Sequence, residues 1–181
     1  MDTRKKLIGI CHRIYSDFFM PSRLDEYRLI LERALAHGYQ VYSIERFWED
    51  IKANNVEPGV NRLILRHDID TDVSCAKAMW EIERSLGIFG SYYFRLSTLD
   101  YPLMLEIAEA GGEASYHFEE IATVAKQKGF SAKEQVYRDM PYIQELFKYN
   151  LGQLREKTGL AMHIVASHGD FVNRRLAAPN W

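Results

Sequence analysis

Apolar positions along the chain follow two alternating patterns, one at helical spacing and one in short unbroken runs. Leu24, Tyr27, Ile30, Leu31, Ala34 and Leu35 recur at helical spacing ahead of Gly38, which predicts a helix over about Arg23 to His37 with a glycine cap. Tyr39 to Ile44 is rich in aromatic and β-branched residues and predicts a short strand; Glu45 to Ala53 predicts a second helix, before a turn at Pro58 and Gly59. Leu63, Ile64 and Leu65 form the short apolar run of a buried strand, which stops at the polar string Arg66 to Asp72. Thr71 or Asp72 can accept the free N–H groups of the next helix, whose Val73, Ala76, Met79, Trp80 and Leu86 point inward before Gly87 stops it.

The alternation then repeats. Ser91 to Arg95 predicts a strand, and Asp100 caps a helix with Pro102 in its first turn, where a missing N–H is harmless; Gly111 and Gly112 end it. Glu113 to His117 predicts a strand and Glu119 to Lys128 a helix closed by Gly129. Ser131 and Glu134 stand at capping-box spacing and open one long helical segment to about Lys157, kinked at Pro141, loosened at Gly152 and ended by Gly159. His163 to Ser167 is the last expected strand, and His168 to Trp181 shows no clear element. Strand and helix in alternation predict an α/β fold, a parallel sheet with outer helices, either open or curled into part of a barrel. The first strand, Tyr39 to Ile44, is the candidate to lie outside the main sheet.

Composition narrows the function classes. A chain of 181 residues, 47% hydrophobic and 27% charged, has a core to bury and suits one domain without repeats or linkers. A net charge of -2 supplies no positive field for phosphate backbones, so nucleic acid is not an expected partner. No stretch approaches the roughly 18 apolar residues of a membrane span, and Leu7 to Cys11 is too short for a signal peptide. Cys11 and Cys75 form no CxxC pair and are expected as free thiols, which together place the protein in the cytoplasm as an expectation.

The candidate chemistry sits at strand ends. His67, His117 and His168 fall at the carboxyl ends of expected strands, the edge where parallel α/β proteins place ligands; His12, His37 and His163 read as ordinary. Asp68 and Asp70, two residues apart in extended chain, point to the same side, and two close anions either raise one carboxyl pKa or call for a cation. The plainer alternative is a solvated loop in which Asp68, Asp70 and Asp72 lead into the next helix, with Asp72 as its cap. Alternation sends at least one of Tyr92, Tyr93 and Phe94 into the core and turns Tyr116 and Phe118 away from His117.

The string LILRHDIDTD, followed in order by GSYYFRL, GGEASYHFEE and IVASHGD, resembles the polysaccharide deacetylase superfamily of carbohydrate esterases, in its branch with an Arg-His-Asp-x-Asp first motif. The resemblance runs from about Tyr27 to Asn173. It implies a partial or distorted (β/α) barrel and a metal-dependent hydrolase that removes an acetyl group from an amino sugar or other carbohydrate. By that resemblance Asp68 matches the general base, acting on a metal-bound water, Asp70 and His117 match metal ligands, and the cofactor is a divalent metal, Zn2+ first.

Where the family often carries a second histidine, four residues after the first, this chain has Ile121. The third ligand is then expected from His168, with Glu119 and Glu120 as alternatives, since a two-His, one-Asp set is a common zinc solution. If His168 is not a ligand, it can supply the proton for the leaving amine. The family's later Arg-Pro-aromatic motif is replaced by Ser167, His168, Gly169 and Asp170.

Arg66, His67, Arg95 and Glu119 are the expected substrate-binding or supporting residues; Arg66 and Arg95 orient Asp68, hold a charged substrate group, or form rim salt bridges. Two other readings remain: a non-catalytic or partner-dependent relative that binds sugar or metal, and a two-metal phosphoesterase, which would want more ligands. A closed family barrel needs a longer chain. The expectation is therefore one deacetylase-like domain over 1–181, either lacking the C-terminal part of the family fold or leaving an open sheet edge for its tail or another copy to cover.

Overall fold

Aspartate, serine and glycine punctuate the elements. The computed structural model describes residues 21–178 together with 8, 9 and 15; Cys11, His12 and Trp181 lie outside the described residues. Helix α1 (Leu24–Ala36) leads to β1 (Gln40–Tyr42) and α2 (Ile44–Lys52), the latter capped by the Ser43 hydroxyl. Then follow β2 (Arg62–Ile64), β3 (Arg66–Ile69) and α3 (Val73–Ser85), whose free N–H groups at Ser74 and Cys75 donate to the Asp72 carboxylate. Strand β4 (Ser91–Phe94), α4 (Tyr101–Glu109, capped by Asp100), β5 (Glu113–Phe118) and α5 (Glu120–Lys128) continue the alternation. Helices α6 (Lys133–Arg138) and α7 (Met140–Thr158), strand β6 (Ala166–Ser167) and α8 (Phe171–Leu176) complete it. Gly87, Gly129 and Gly159 stop α3, α5 and α7 at φ of 68°, 66° and 71°, a backbone state that a Cβ disfavours.

Among the described residues all strand pairs are parallel, in the orders β1-β2 and β3-β4-β5-β6. Only Leu65 separates β2 from β3. Its N–H donates to Tyr42 O at 3.0 Å and its carbonyl accepts from Ser91 N at 3.0 Å, so the strand path passes from β1 as neighbour to β4. The result is a curled parallel sheet, a half-barrel, flanked by helices. Tyr92, Phe94, Tyr116 and Ile69 face the helices and pack with Trp80, Leu103 and Met104. Ser91, Tyr93, Glu113 and His117 take the other face.

The helix side of the sheet also holds a buried carboxylate. Glu83 on α3, with no exposed surface, accepts hydrogen bonds from Tyr27 Oη (2.5 Å), Tyr92 Oη (2.8 Å) and Gly90 N (2.9 Å), and pairs with His67 Nε2 at 2.6 Å. On the concave face Glu113 accepts from Tyr93 Oη and Ser91 Oγ, each at 2.6 Å, and from Glu45 N at 2.9 Å, so the start of α2 closes the amino end of the half-barrel.

Several boundaries differ from those the sequence predicts. The polar string after Leu65 is itself a strand, because β4 supplies a hydrogen-bonding partner in register His67↔Tyr92 and Asp68↔Tyr93. The long helix expected up to Lys157 is two helices that meet at Asp139: Pro141 has no N–H for the Tyr137 carbonyl, so it sits in the first turn of α7 instead of kinking a continuous helix. Gln135, not Glu134, reaches back to accept from Ser131 N and Ala132 N. The tail after His168 contains α8, capped by Asp170, and the last strand is only Ala166–Ser167, leaving His163 outside it. Among the described residues no helix is long and apolar enough to cross a membrane.

Replacing Glu83 with alanine strands four donors in a site closed to water. Loss of about 3–5 kcal/mol in a denaturant titration is expected, against less than about 0.5 kcal/mol for the exposed Glu109→Ala.

Candidate metal centre

Four of the residues singled out in the sequence meet at the carboxyl edge of the half-barrel. Asp68 lies in β3 and Asp70 just beyond it; His117 lies in β5, and His168 follows β6. The two histidines are brought together across 51 residues of chain by the β5–β6 ladder, which His168 N extends by donating to Phe118 O at 2.8 Å.

His117 is buried, and its Nδ1 lies 3.1 Å from Ala166 O. A carbonyl oxygen only accepts, so Nδ1 carries the hydrogen and Nε2 turns its lone pair toward the carboxylates. From Nε2 it is 3.4 Å to Asp70 Oδ1, 3.8 Å to Asp68 Oδ2 and 3.3 Å to His168 Nδ1. His168 Nδ1 is 2.9 Å from Asp70 Oδ1. Donors held about 2.0–2.1 Å from a tetrahedral ion stand roughly 3.3 Å apart, so Asp70, His117 and His168 have the spacing and the chemistry of a zinc-type ligand set. Burial pushes the His117 imidazole below its ordinary pKa, against the pull of Asp68 and Asp70, which favours the neutral form that binds cations.

Two arginines divide the flanking carboxylates between them. Arg66 grips Asp68 in a fork, Nε to Oδ1 at 2.8 Å and Nη2 to Oδ2 at 2.9 Å, and rests over the Tyr93 ring at 5.4 Å; the hydrogen bond to Asp68 pushes its own pKa up. Arg95 grips Glu119 instead, at 2.7–2.9 Å, and donates from Nη1 to Asp70 O at 3.0 Å. Beside it Thr98 Oγ1 donates to Ile69 O at 2.6 Å.

The remaining expectations separate accordingly. Arg66 meets Asp68 as an orienting residue, whereas Arg95 does not touch it. His67 points to the opposite face and serves Glu83, since neighbouring residues of a strand alternate. Glu119 is held by Arg95. Glu120 is buried away from the site, accepting from Tyr116 Oη at 2.6 Å and Asn150 Nδ2 at 3.0 Å. Ile121 packs in the apolar cluster under α5 and α8. Asp170, not singled out in the sequence, forms a second group with Glu119 and His168 while capping α8 and pairing with Lys126. Its signal was an aspartate two residues before Val172, with Leu176 following at helical spacing. A cleft of about 350 Å3 lies between β3 and α3, lined by Asp68, Asp70, Thr71, Cys75 and Met79; His117 and His168 are not part of its lining.

Comparison with protein-family models, curated proteins and solved structures returned no match.

One Zn2+ or Co2+ per chain is expected in a calorimetric titration of chelator-treated protein. Asp70→Asn, His117→Ala and His168→Ala should each weaken binding by about 100-fold or more, with His67→Ala leaving it within about threefold.

Proposed function

We propose that the chain is a metal-dependent hydrolase that removes an acetyl group from an amino sugar or another carbohydrate, on a half-barrel of the polysaccharide deacetylase type. The observation that carries this reading is the convergence of Asp68 with Asp70, His117 and His168 at one sheet edge, in the motif order of the resemblance. Asp70, His117 and His168 would hold the ion. A divalent cation there supplies Lewis acidity, which polarises a carbonyl and acidifies water.

Asp68 faces the same space without being one of the three donors grouped for the ion, which suits it to proton transfer. It accepts a proton from the water that attacks the acetyl carbon; the bond from that carbon to the sugar's nitrogen or oxygen breaks, and the proton passes from Asp68 to the departing amine or alcohol as acetic acid is released. Arg66 fixes the carboxylate plane of Asp68 through its fork and is itself braced on Tyr93.

A second reading, a non-catalytic sugar- or metal-binding relative, is favoured by one observation: both Asp68 oxygens are engaged by Arg66. Acetate release from a panel of N- and O-acetylated sugars separates the two. Turnover that falls by about 10²–10⁴-fold in Asp68→Asn, with one Zn2+ still bound per chain, is the expected result. Stoichiometric Zn2+ without acetate release from any member of the panel would favour the binding protein.

A further inference from the structure

Two groups of potential ligands share His168. Asp70, His117 and His168 make one and Glu119, His168 and Asp170 the other, with ligand atoms in each lying within 4.8 Å of one another. Charge alone favours the second, because two carboxylates attract a dication more strongly than one. Something must decide against it if the first is the ion's seat.

The decision lies in which carboxylates are already held. Glu119 receives three hydrogen bonds from the Arg95 fork at 2.7–2.9 Å, and the pair is largely screened from water, with side chains 13% and 19% exposed. Asp170 is held by Lys126 and by Val172 N at 2.7 Å. The Asp70 carboxylate pairs with no Lys or Arg side chain among the described residues; it faces the two imidazoles and is half exposed. The same guanidinium that occupies Glu119 turns its remaining nitrogen, Nη1, to the Asp70 carbonyl at 3.0 Å, while Thr98 fixes the Ile69 carbonyl at 2.6 Å. One side chain therefore removes a competing carboxylate and anchors the backbone that carries the chosen one.

We propose that Arg95 is a positioning residue that assigns the ligand set, directing a divalent cation to Asp70, His117 and His168 by holding Glu119 and pinning the Asp70 carbonyl. This rests on the metal-centre reading above. Lys126 acts in the same sense on Asp170, but at 45% side-chain exposure it is the weaker guard.

The test is a Zn2+ titration by calorimetry, with Co2+ absorption as a ligand-sensitive second readout, on the full chain and its variants. In the parent, Glu119→Gln should change affinity by less than about threefold and Asp70→Asn should lower it about 100-fold. In an Arg95→Met background the dependence should cross over: Asp70→Asn then costs less than about tenfold, and adding Glu119→Gln to it abolishes the remaining binding. The Co2+ spectrum of Arg95→Met should differ from that of the parent, since the donor set gains a carboxylate. Arg95→Met leaves Glu119 unpaired and half-screened, so Arg95→Lys, which keeps the charge without the fork, serves as the gentler variant. In that background Glu119→Gln should lower affinity at least about fivefold.

An unchanged dependence on Asp70 and Glu119 in both Arg95 variants would overturn the proposal while leaving the metal centre standing, and so would a parent chain that already loses Zn2+ on Glu119→Gln. A parent that binds neither Zn2+ nor Co2+ would remove the metal centre and this assignment together.

Discussion

Taking a carboxylate out of water is tolerable only where donors converge on it, and at Glu83 they come from every element that supports the front of the sheet: Tyr27 on α1, His67 on β3, and Gly90 and Tyr92 at the start of β4. The cluster fixes how these elements sit. A Cβ on Gly90 would fall 2.9 Å from Leu65 Cβ and 3.0 Å from Glu83 Oε2, so the entry to β4 must be glycine for the carboxylate to reach its backbone donor. With His67 committed beneath the strand, Asp68 above it has one direction left.

The concave face shows how charge is sorted on a small half-barrel. Asp68, Glu119 and Asp170 each face a cation of their own, Arg66, Arg95 and Lys126. Asp70 meets imidazoles instead. At the opposite end the backbone N–H of Glu45 at the start of α2 serves Glu113, and burial together with the Glu113 charge pushes the Glu45 carboxyl upward. Carboxylates at the amino end are thus stabilised by backbone and hydroxyl donors, and at the carboxyl end by side-chain cations and histidines.

Local signals in the sequence carried over well where the cause was local. Asp72 and Asp100 cap their helices and Gly87, Gly129 and Gly159 end theirs, because capping depends on a few neighbouring dihedrals and one side chain. The meeting of Asp70, His117 and His168 was legible from the rule that parallel strands gather ligands at their carboxyl ends, which marked the histidines, and from the motif resemblance, which named Asp70 and His117 as ligands. What stayed hidden depended on distant partners. Arg66 to Ile69 looks like a loop until β4 lies beside it, and the Arg95–Glu119 fork spans 24 residues with no spacing rule to announce it. Helix α8 is short enough that its apolar pair, Val172 and Leu176, reads as chance until α5 supplies the surface they cover.

Strand β3 alternates its duties residue by residue: Arg66 and Asp68 to the open face, His67 and Ile69 to the helices. A shift of its pairing by a single residue would drive Asp68 toward Glu83 and Trp80 and expose Ile69, so a misregistered strand would place two carboxylates together in the core. The fold thereby proofreads its own chemistry: an alignment error that would disarm the site also forfeits the core, and a chain that folds at all presents its two aspartates on the correct side.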